Sequence, residues 1–331
     1  MKTSKIIFDK PESAVLLDEE IETENLSPDS ILIKTRYSLV SPGTELAIYK
    51  GLESWAPLPF NPGYAAVGRV EAVGEGVENL APGDMILTYS SHSEYSVISS
   101  NSIYVKLSEK CNPKEAVFTR LASISITSLR VSDVELGDKA AIFGMGLIGN
   151  LAAQLFALTG ADVTGIDLCE KRLDTAKKCG ITKTANPQEE GFESKVAEVN
   201  VAVEATGNPR VVMDALKATG KQGEVILLGS PRGEYNDNVV DMLNQVHLWN
   251  NGCVTLKGAH EWRYPKKPSE GSKHSIQRNC QTIAGLIADK KLVIAPLISH
   301  TLSPADAQSA YQGLLNNKTD YLGVVFDWEG V

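Results

Sequence analysis

Gly144-Met145-Gly146-Leu147-Ile148-Gly149 constrains this chain more than any other segment. It follows an apolar run, residues 139–143, that reads as a strand, and it opens a stretch, residues 150–159, that reads as a helix. The next apolar run, residues 162–166, ends in Asp167, 18 residues after Gly149. Three glycines at this spacing have separate jobs in a strand-to-helix turn. One makes the turn, one lets backbone N–H groups approach a pyrophosphate, and one lets the helix pack closely on the sheet. The helix amino terminus adds partial positive charge for the phosphates. Asp167 is placed to accept hydrogen bonds from the hydroxyls of an adenine ribose and to repel a 2′-phosphate, so NAD is the expected cofactor rather than NADP. Gly144, Met145, Gly146, Leu147, Ile148, Gly149 and Asp167 are therefore expected cofactor contacts, with Arg172 in the helix that follows. Two later strand ends fit the same crevice, Thr206-Gly207 and Gly229-Ser230-Pro231. Each taken alone is equally an ordinary βα turn.

The strands and helices around this motif alternate, which predicts βαβ units and a parallel sheet covered on both faces. Further strands are expected at residues 181–184, 200–204, 224–228 and 253–258, with helices at 170–179 and 209–218. Before residue 110 the pattern differs. Short β-like runs at residues 31–35, 67–73 and 95–98 are punctuated by Gly74, Gly76, Pro82, Gly83 and Asp84, as in a twisted antiparallel module. After His260 come a basic stretch, helices at about 275–290 and 304–316, and a last strand at 323–326. This tail breaks the alternation and is expected to return to the first module. The expected organisation is residues 1–125 and 261–331 as one domain, with 126–260 inserted as a nucleotide-binding domain.

Composition closes off several classes. A net charge of −9 argues against nucleic acid as a partner. No stretch approaches the roughly 18 apolar residues that span a bilayer, so no membrane association is expected. Residues 1–9 reach an acidic residue before a signal-peptide core could form. The five cysteines are scattered, with no Cys-x-x-Cys pair, which suits a reducing compartment. The cytoplasm is the expected address.

Four further motifs bear on family. Pro42-Gly43-Thr44-Glu45 stands where zinc alcohol dehydrogenases carry Cys-Gly-Thr-Asp, and Gly63-Tyr64-Ala65-Ala66-Val67-Gly68 where they carry Gly-His-Glu-x-x-Gly. Val73-Gly74-Glu75-Gly76-Val77, then Pro82-Gly83-Asp84, match their β-turn and Gly-Asp signature. With the glycine motif and Asp167, these residues make the chain resemble the medium-chain dehydrogenase/reductase superfamily over nearly its full length. The resemblance implies an α/β fold: a Rossmann doubly wound parallel sheet domain plus a GroES-like, mainly antiparallel β substrate domain. The Ser-Pro-Gly-Thr-Glu and Pro-Gly-Tyr elements are most similar to a zinc-lacking branch that includes bacteriochlorophyllide hydroxyethyl dehydrogenases.

The departures from the zinc enzymes shape the expected chemistry. A catalytic zinc needs three ligands drawn from Cys, His and carboxylate. Here Pro42, Tyr64 and Ala65 replace them, Arg120 stands near the remaining acidic or cysteine position, and only nine residues, none a cysteine, separate Asp84 from Glu94. No metal is expected. The expected catalytic residues are Tyr64, Thr44, Glu45 and His92. Thr44 matches the family's proton-relay hydroxyl. Tyr64 supplies a phenol where the zinc enzymes have histidine, or its ring fills the space the metal leaves. Glu45 is a base or a carboxylate holding Arg120 or a backbone group. His92 borders the family's substrate cleft, where a lone histidine is more often structural. Arg120 and Arg232 are substrate candidates, and His260, Trp262, Arg263 and Tyr264 are candidates to cap the site. The expected function is hydride transfer between NAD and a secondary alcohol or ketone, with sugars and cyclic polyols as candidate small-molecule substrates. The alternatives are a quinone or enoyl reductase and a non-catalytic nucleotide-binding protein. Residues 254–258 are a candidate edge strand, so a homodimer or dimer of dimers is expected.

Overall fold

The chain begins as a hairpin. In the computed structural model, which describes residues 1–23 and 25–331, β1 (Lys2–Lys10) pairs antiparallel with β2 (Ser13–Glu20). Ile6 and Phe8 are fully buried. Next come β3 (Ser30–Leu39), α1 (Pro42–Tyr49), β4 (Ala66–Val73), β5 (Met85–Thr88), β6 (Tyr95–Ser99), β7 (Tyr104–Lys106) and the short α2 (Pro113–Ala116). Strand β3 organises this unit, because it pairs with β4 on one side and with both β6 and the last strand of the chain on the other.

Helix α3 (Thr119–Val131) leads into the second unit, which contains β8 (Lys139–Phe143), α4 (Leu147–Ala157), β9 (Asp162–Ile166), α5 (Glu170–Lys178), β10 (Lys183–Ala185), α6 (Phe192–Lys195), β11 (Val199–Glu204), α7 (Pro209–Ala218), β12 (Thr219–Leu227), α8 (Val239–His247) and β13 (Thr255–Gly258). Its six strands are all parallel, in the order β10-β9-β8-β11-β12-β13. The order reverses between β8 and β11. A ligand crevice opens at such a switch point, beyond the carboxyl ends of the strands. One face of the sheet packs Phe156, Leu173 and Ile181 over Ile142 and Val203, and the other packs Leu216 and Val196 over Ala141 and Ala202.

The chain then returns through α9 (Ile276–Ala288), β14 (Ile298–Leu302), α10 (Ala307–Asn316) and β15 (Gly323–Asp327). These complete a seven-stranded, mainly antiparallel sheet in the order β14-β15-β3-β4-β5-β7, with β6 also on β3. The return also completes the first unit's aromatic core. Tyr311 stacks on Tyr49 at 5.4 Å, and Phe8 meets both rings edge-on at 4.7–5.2 Å.

The chain changes unit at Arg120–Leu121 and Arg263–Tyr264, a few residues from the boundaries expected at 125 and 260. One stretch of the tail departs from expectation. Residues 291–296 belong to the second unit, where the Gln154 amide clamps Val293 by accepting its N–H (2.7 Å) and donating to its carbonyl (3.1 Å). Other differences are local. Helix α4 starts at Leu147 rather than residue 150, because Gly146 is itself its cap. Residues 304–306 form a 3-10 turn before α10. Strand β13 starts two residues late, after Cys253 at φ 52°. Among the described residues no helix is long and apolar enough to cross a membrane.

Candidate active site

The glycine motif has the three-part geometry its spacing implies. Gly144 ends β8 at φ 95°, a conformation that L side chains rarely adopt, and a Cβ there would stand 2.7 Å from the Thr206 side chain. Gly149 lies in the first turn of α4, and a Cβ there would stand 1.7 Å from the Gly144 carbonyl oxygen. Gly146 is the opposite case: a Cβ would meet nothing within 4 Å. It caps α4 without a side-chain oxygen, so no side chain of the cap fills the space at the helix's amino terminus. This is the room a pyrophosphate needs.

Asp167 lies at the carboxyl end of β9. One carboxylate oxygen accepts the Met145 N–H (2.8 Å) and the other the Cys169 N–H (2.9 Å), while Arg172 lies 3.6 Å away. The carboxylate therefore ties the glycine loop to the next strand, and each oxygen keeps a lone pair for a ribose hydroxyl. Across the switch point, buried Glu204 accepts the backbone N–H groups of Thr206 (2.6 Å) and Gly207 (3.0 Å) and the Thr206 hydroxyl. Burial holds this carboxyl above its usual range, against the pull of those hydrogen bonds. The Gly229 and Gly207 backbones interlock, since a Cβ on Gly229 would stand 2.3 Å from the Gly207 nitrogen. The cofactor candidates Thr206, Gly207, Gly229, Ser230 and Pro231 thus share one rim of the crevice.

The second cluster lies in the first unit. Tyr64 donates its phenol hydrogen to Ser41 Oγ and lies 3.5 Å from Thr44 Oγ1. The Arg120 guanidinium sits over its ring at 4.6 Å and over the Tyr89 ring at 4.1 Å. Burial raises the Tyr64 phenol above its usual value, opposed chiefly by the Arg120 charge. Arg120 is only 3% exposed. The Tyr64 and Tyr89 rings enclose it.

Glu45 and His92 are both fully buried, and of the roles expected for Glu45 the structure shows it holding a backbone group, the Ser41 N–H. Glu45 accepts the Ser41 N–H (2.7 Å) and the Tyr311 hydroxyl (2.6 Å), and meets His92 Nε2 at 3.0 Å. His92 Nδ1 meets Ser38 Oγ at 2.7 Å, and Ser38 in turn accepts from Trp328 Nε1 (2.9 Å). Both ring nitrogens of His92 therefore have a polar partner, Ser38 at Nδ1 and Glu45 at Nε2. Every polar atom of the pair is engaged inside the core. Thr44, partly exposed, stays beside Tyr64. Pro42 is the first residue of α1, where its missing N–H costs nothing.

Arg232 is exposed on the loop after β12, with its backbone N–H on the Gly207 carbonyl at 3.1 Å. His260, Trp262 and Arg263 are exposed where the chain leaves the second unit, and Tyr264 packs edge-on against His274 at 5.5 Å in the first. Ser41, Tyr89 and Tyr311 are the residues that sequence reasoning missed. Ser41 carried a signal, a serine before a helix-starting proline with a glutamate four residues on. Tyr89 and Tyr311 carried none, because only the tertiary fold brings them to the cluster. Among the described residues no group of three or more His, Cys, Asp or Glu side chains is arranged to hold a metal ion.

Comparison with known proteins agrees with this architecture. The alcohol dehydrogenase GroES-like domain family matches residues 27–111, and the zinc-binding dehydrogenase family matches residues 148–263. The chain belongs to the medium-chain dehydrogenase/reductase superfamily. An L-threonine 3-dehydrogenase from Vibrio parahaemolyticus is 25% identical over 370 aligned positions, covering 99% of this chain and 100% of that one. An (R,R)-butanediol dehydrogenase from Bacillus subtilis is 25% identical over 254 positions, 63% of this chain and 73% of that one. The solved galactitol-1-phosphate dehydrogenase from Escherichia coli shares the fold, with a TM-score of 0.83, 20% identity and coverage of 98% and 99% of the two chains.

Proposed function

We propose that this protein is a zinc-independent, NAD-dependent dehydrogenase that interconverts a secondary alcohol and a ketone, with sugars and cyclic polyols as its substrate class. The observation that carries this reading is the Tyr64–Ser41–Thr44 hydroxyl cluster under the Arg120 guanidinium, in which Tyr64 stands where the family's motif carries a histidine ligand. Relatives that act on threonine, butanediol and galactitol 1-phosphate support a hydroxyl-bearing substrate. A bound dinucleotide would supply the hydride acceptor or donor, which no side chain can replace. The chain's own residues handle the proton. Tyr64 gives its phenol hydrogen to the substrate oxygen during reduction and takes one back during oxidation, while Ser41 and Thr44 hold the phenol oxygen in line. Cofactor absorbance, followed across polyols, sugars, ketones and quinones, tests the assignment. Turnover with quinones alone would replace it with a quinone reductase.

Asp167 is the basis for NAD. Wild type should bind NADH more tightly than NADPH. Asp167→Asn keeps an oxygen for the Cys169 N–H, removes the negative charge and leaves Arg172 without its carboxylate. The preference should then narrow by about tenfold, ~1.4 kcal/mol of differential affinity. Tighter binding of NADPH than NADH by wild type, measured by fluorescence titration, would refute this account.

Assembly follows from the sheet edge. Strand β13 ends the six-stranded order, and its outer edge pairs with no described strand. Val239, Val240 and Leu243 of the neighbouring α8 are each more than half exposed, as is Trp249 just beyond it. We expect two copies to pair through β13 and bury this surface, as a homodimer or within a dimer of dimers. Light scattering at micromolar concentration should give a multiple of the 35.7 kDa chain, and a strictly monomeric mass would exclude it.

A further inference from the structure

We propose that Arg120 and Ser41 are positioning residues for the proton donor, jointly stabilising a negatively charged Tyr64 oxygen at the place where a metal ion would otherwise stabilise a substrate alkoxide. The inference rests on Tyr64 being that donor.

Three features carry it. First, Arg120 is buried, and its guanidinium carbon lies 4.6 Å from the Tyr64 ring centre and 4.1 Å from that of Tyr89. A cation held over an aromatic face away from water is attracted to the ring far more strongly than an exposed one, and the same low dielectric strengthens its pull on charge developing at the phenol oxygen. Second, the clamp is fixed from behind, because the Tyr89 hydroxyl lies 3.4 Å from Cys280 Sγ on α9. Third, Ser41 caps α1 yet makes no side-chain capping hydrogen bond. Its hydroxyl takes the Tyr64 phenol hydrogen instead, while its backbone N–H is held by Glu45. The buried Glu45–His92–Ser38–Trp328 chain therefore anchors Ser41, and Ser41 anchors Tyr64.

The charges facing Tyr64 are the Arg120 guanidinium, which favours the phenolate, and the Glu45 carboxylate, which opposes it. When the substrate is oxidised, its O–H bond breaks and the proton forms a new O–H bond on the Tyr64 oxygen. A bound oxidised nicotinamide would accept the carbinol hydrogen with its electron pair as hydride. Reduction reverses both transfers. With the phenolate formed, the Ser41 hydroxyl turns to donate to it, and the Arg120 charge lies over its ring.

The test is a titration of the cofactor-free, full-length protein, so it needs no substrate. A difluorinated tyrosine placed at position 64 alone ionises at lower pH than the natural side chain, and its fluorine NMR signal separates it from the other tyrosines. Arg120→Met should raise its ionisation midpoint by about 1–3 pH units, the size of effect an opposite charge exerts at this range. Arg120→Lys should restore most of that shift, which a purely structural role for the arginine would not do. Ser41→Ala should also raise the midpoint, and Ser41→Thr should bring it back. Thermal melting identifies any variant that fails to fold, and the Lys and Thr variants then decide by matching wild type or not. An unmoved midpoint in folded Arg120→Met, or a lysine variant displaced as far as methionine, overturns the proposal. This outcome is distinguishable from failure of the donor assignment, because full turnover in Tyr64→Phe would refute Tyr64 as donor while leaving the measured coupling intact.

Discussion

Tyr64→Phe is expected to lower turnover by about 10²–10⁴-fold, the usual contribution of a positioned general acid, with NADH affinity nearly unchanged. The substitution removes one oxygen atom and keeps the ring, so the stack with Arg120 survives and packing changes little. The dinucleotide crevice belongs to the other unit, which is why cofactor affinity serves as the internal control. Wild-type turnover should also persist in a strong chelator, because Pro42 and Ala65 offer no donor atom and the Arg120 charge repels a second cation from the same place. Turnover that requires one tightly bound zinc per chain would sink the zinc-independent reading. Near-full turnover by Tyr64→Phe would reduce the tyrosine to a space-filling role. The donor search would then begin at Thr44, since the polar atoms of Glu45 and His92 are all engaged within the core.

The second unit was legible in the sequence because its signals are local. Apolar runs with sharp ends located β8, β9 and α7 to the residue, and glycine spacing located the turn from β8 into α4. One element at its start was not legible. Helix α3 was missed because its sequence, Thr119-Arg120-Leu121-Ala122-Ser123-Ile124-Ser125-Ile126-Thr127-Ser128, is rich in β-branched and hydroxyl residues that weaken helices. The fold overrides that preference by burial. The Ser128 and Thr127 hydroxyls bond back to carbonyls in the preceding turn, at 2.6 and 3.4 Å, and Ser125 reaches the Ile148 carbonyl at 2.8 Å. The same difference in locality divides the site residues. Thr44 and Tyr64 stand in motifs of a few residues, so the sequence alone names them as candidates. The burial of Glu45 and His92 depends on Tyr311 and Trp328, more than 200 residues away in the chain, and no local pattern announces it.

Gly149→Ala and Gly146→Ala should fail in opposite ways, although the two glycines are three residues apart. At position 149 the added methyl would stand 1.7 Å from the Gly144 carbonyl oxygen and 3.2 Å from the Ala205 Cβ. The first distance is about half of normal contact, and the obstacle is backbone, which cannot rotate away. Helix α4 must shift off β8, so the cost is expected at or above the ~1–3 kcal/mol typical of overpacking. At ~2–4 °C per kcal/mol for a unit of this size, Tm should fall by several degrees. At position 146 the methyl meets nothing within 4 Å, and φ −66° with ψ −174° is open to alanine. This variant should fold and melt as wild type does. Its methyl instead occupies the space where the backbone must meet the pyrophosphate, so NADH affinity should drop by about tenfold or more, at least ~1.4 kcal/mol. Calorimetry and cofactor titration on both variants read the two effects separately. Wild-type NADH affinity in Gly146→Ala would show that the dinucleotide phosphates lie elsewhere, and with them the basis for assigning this crevice to NAD.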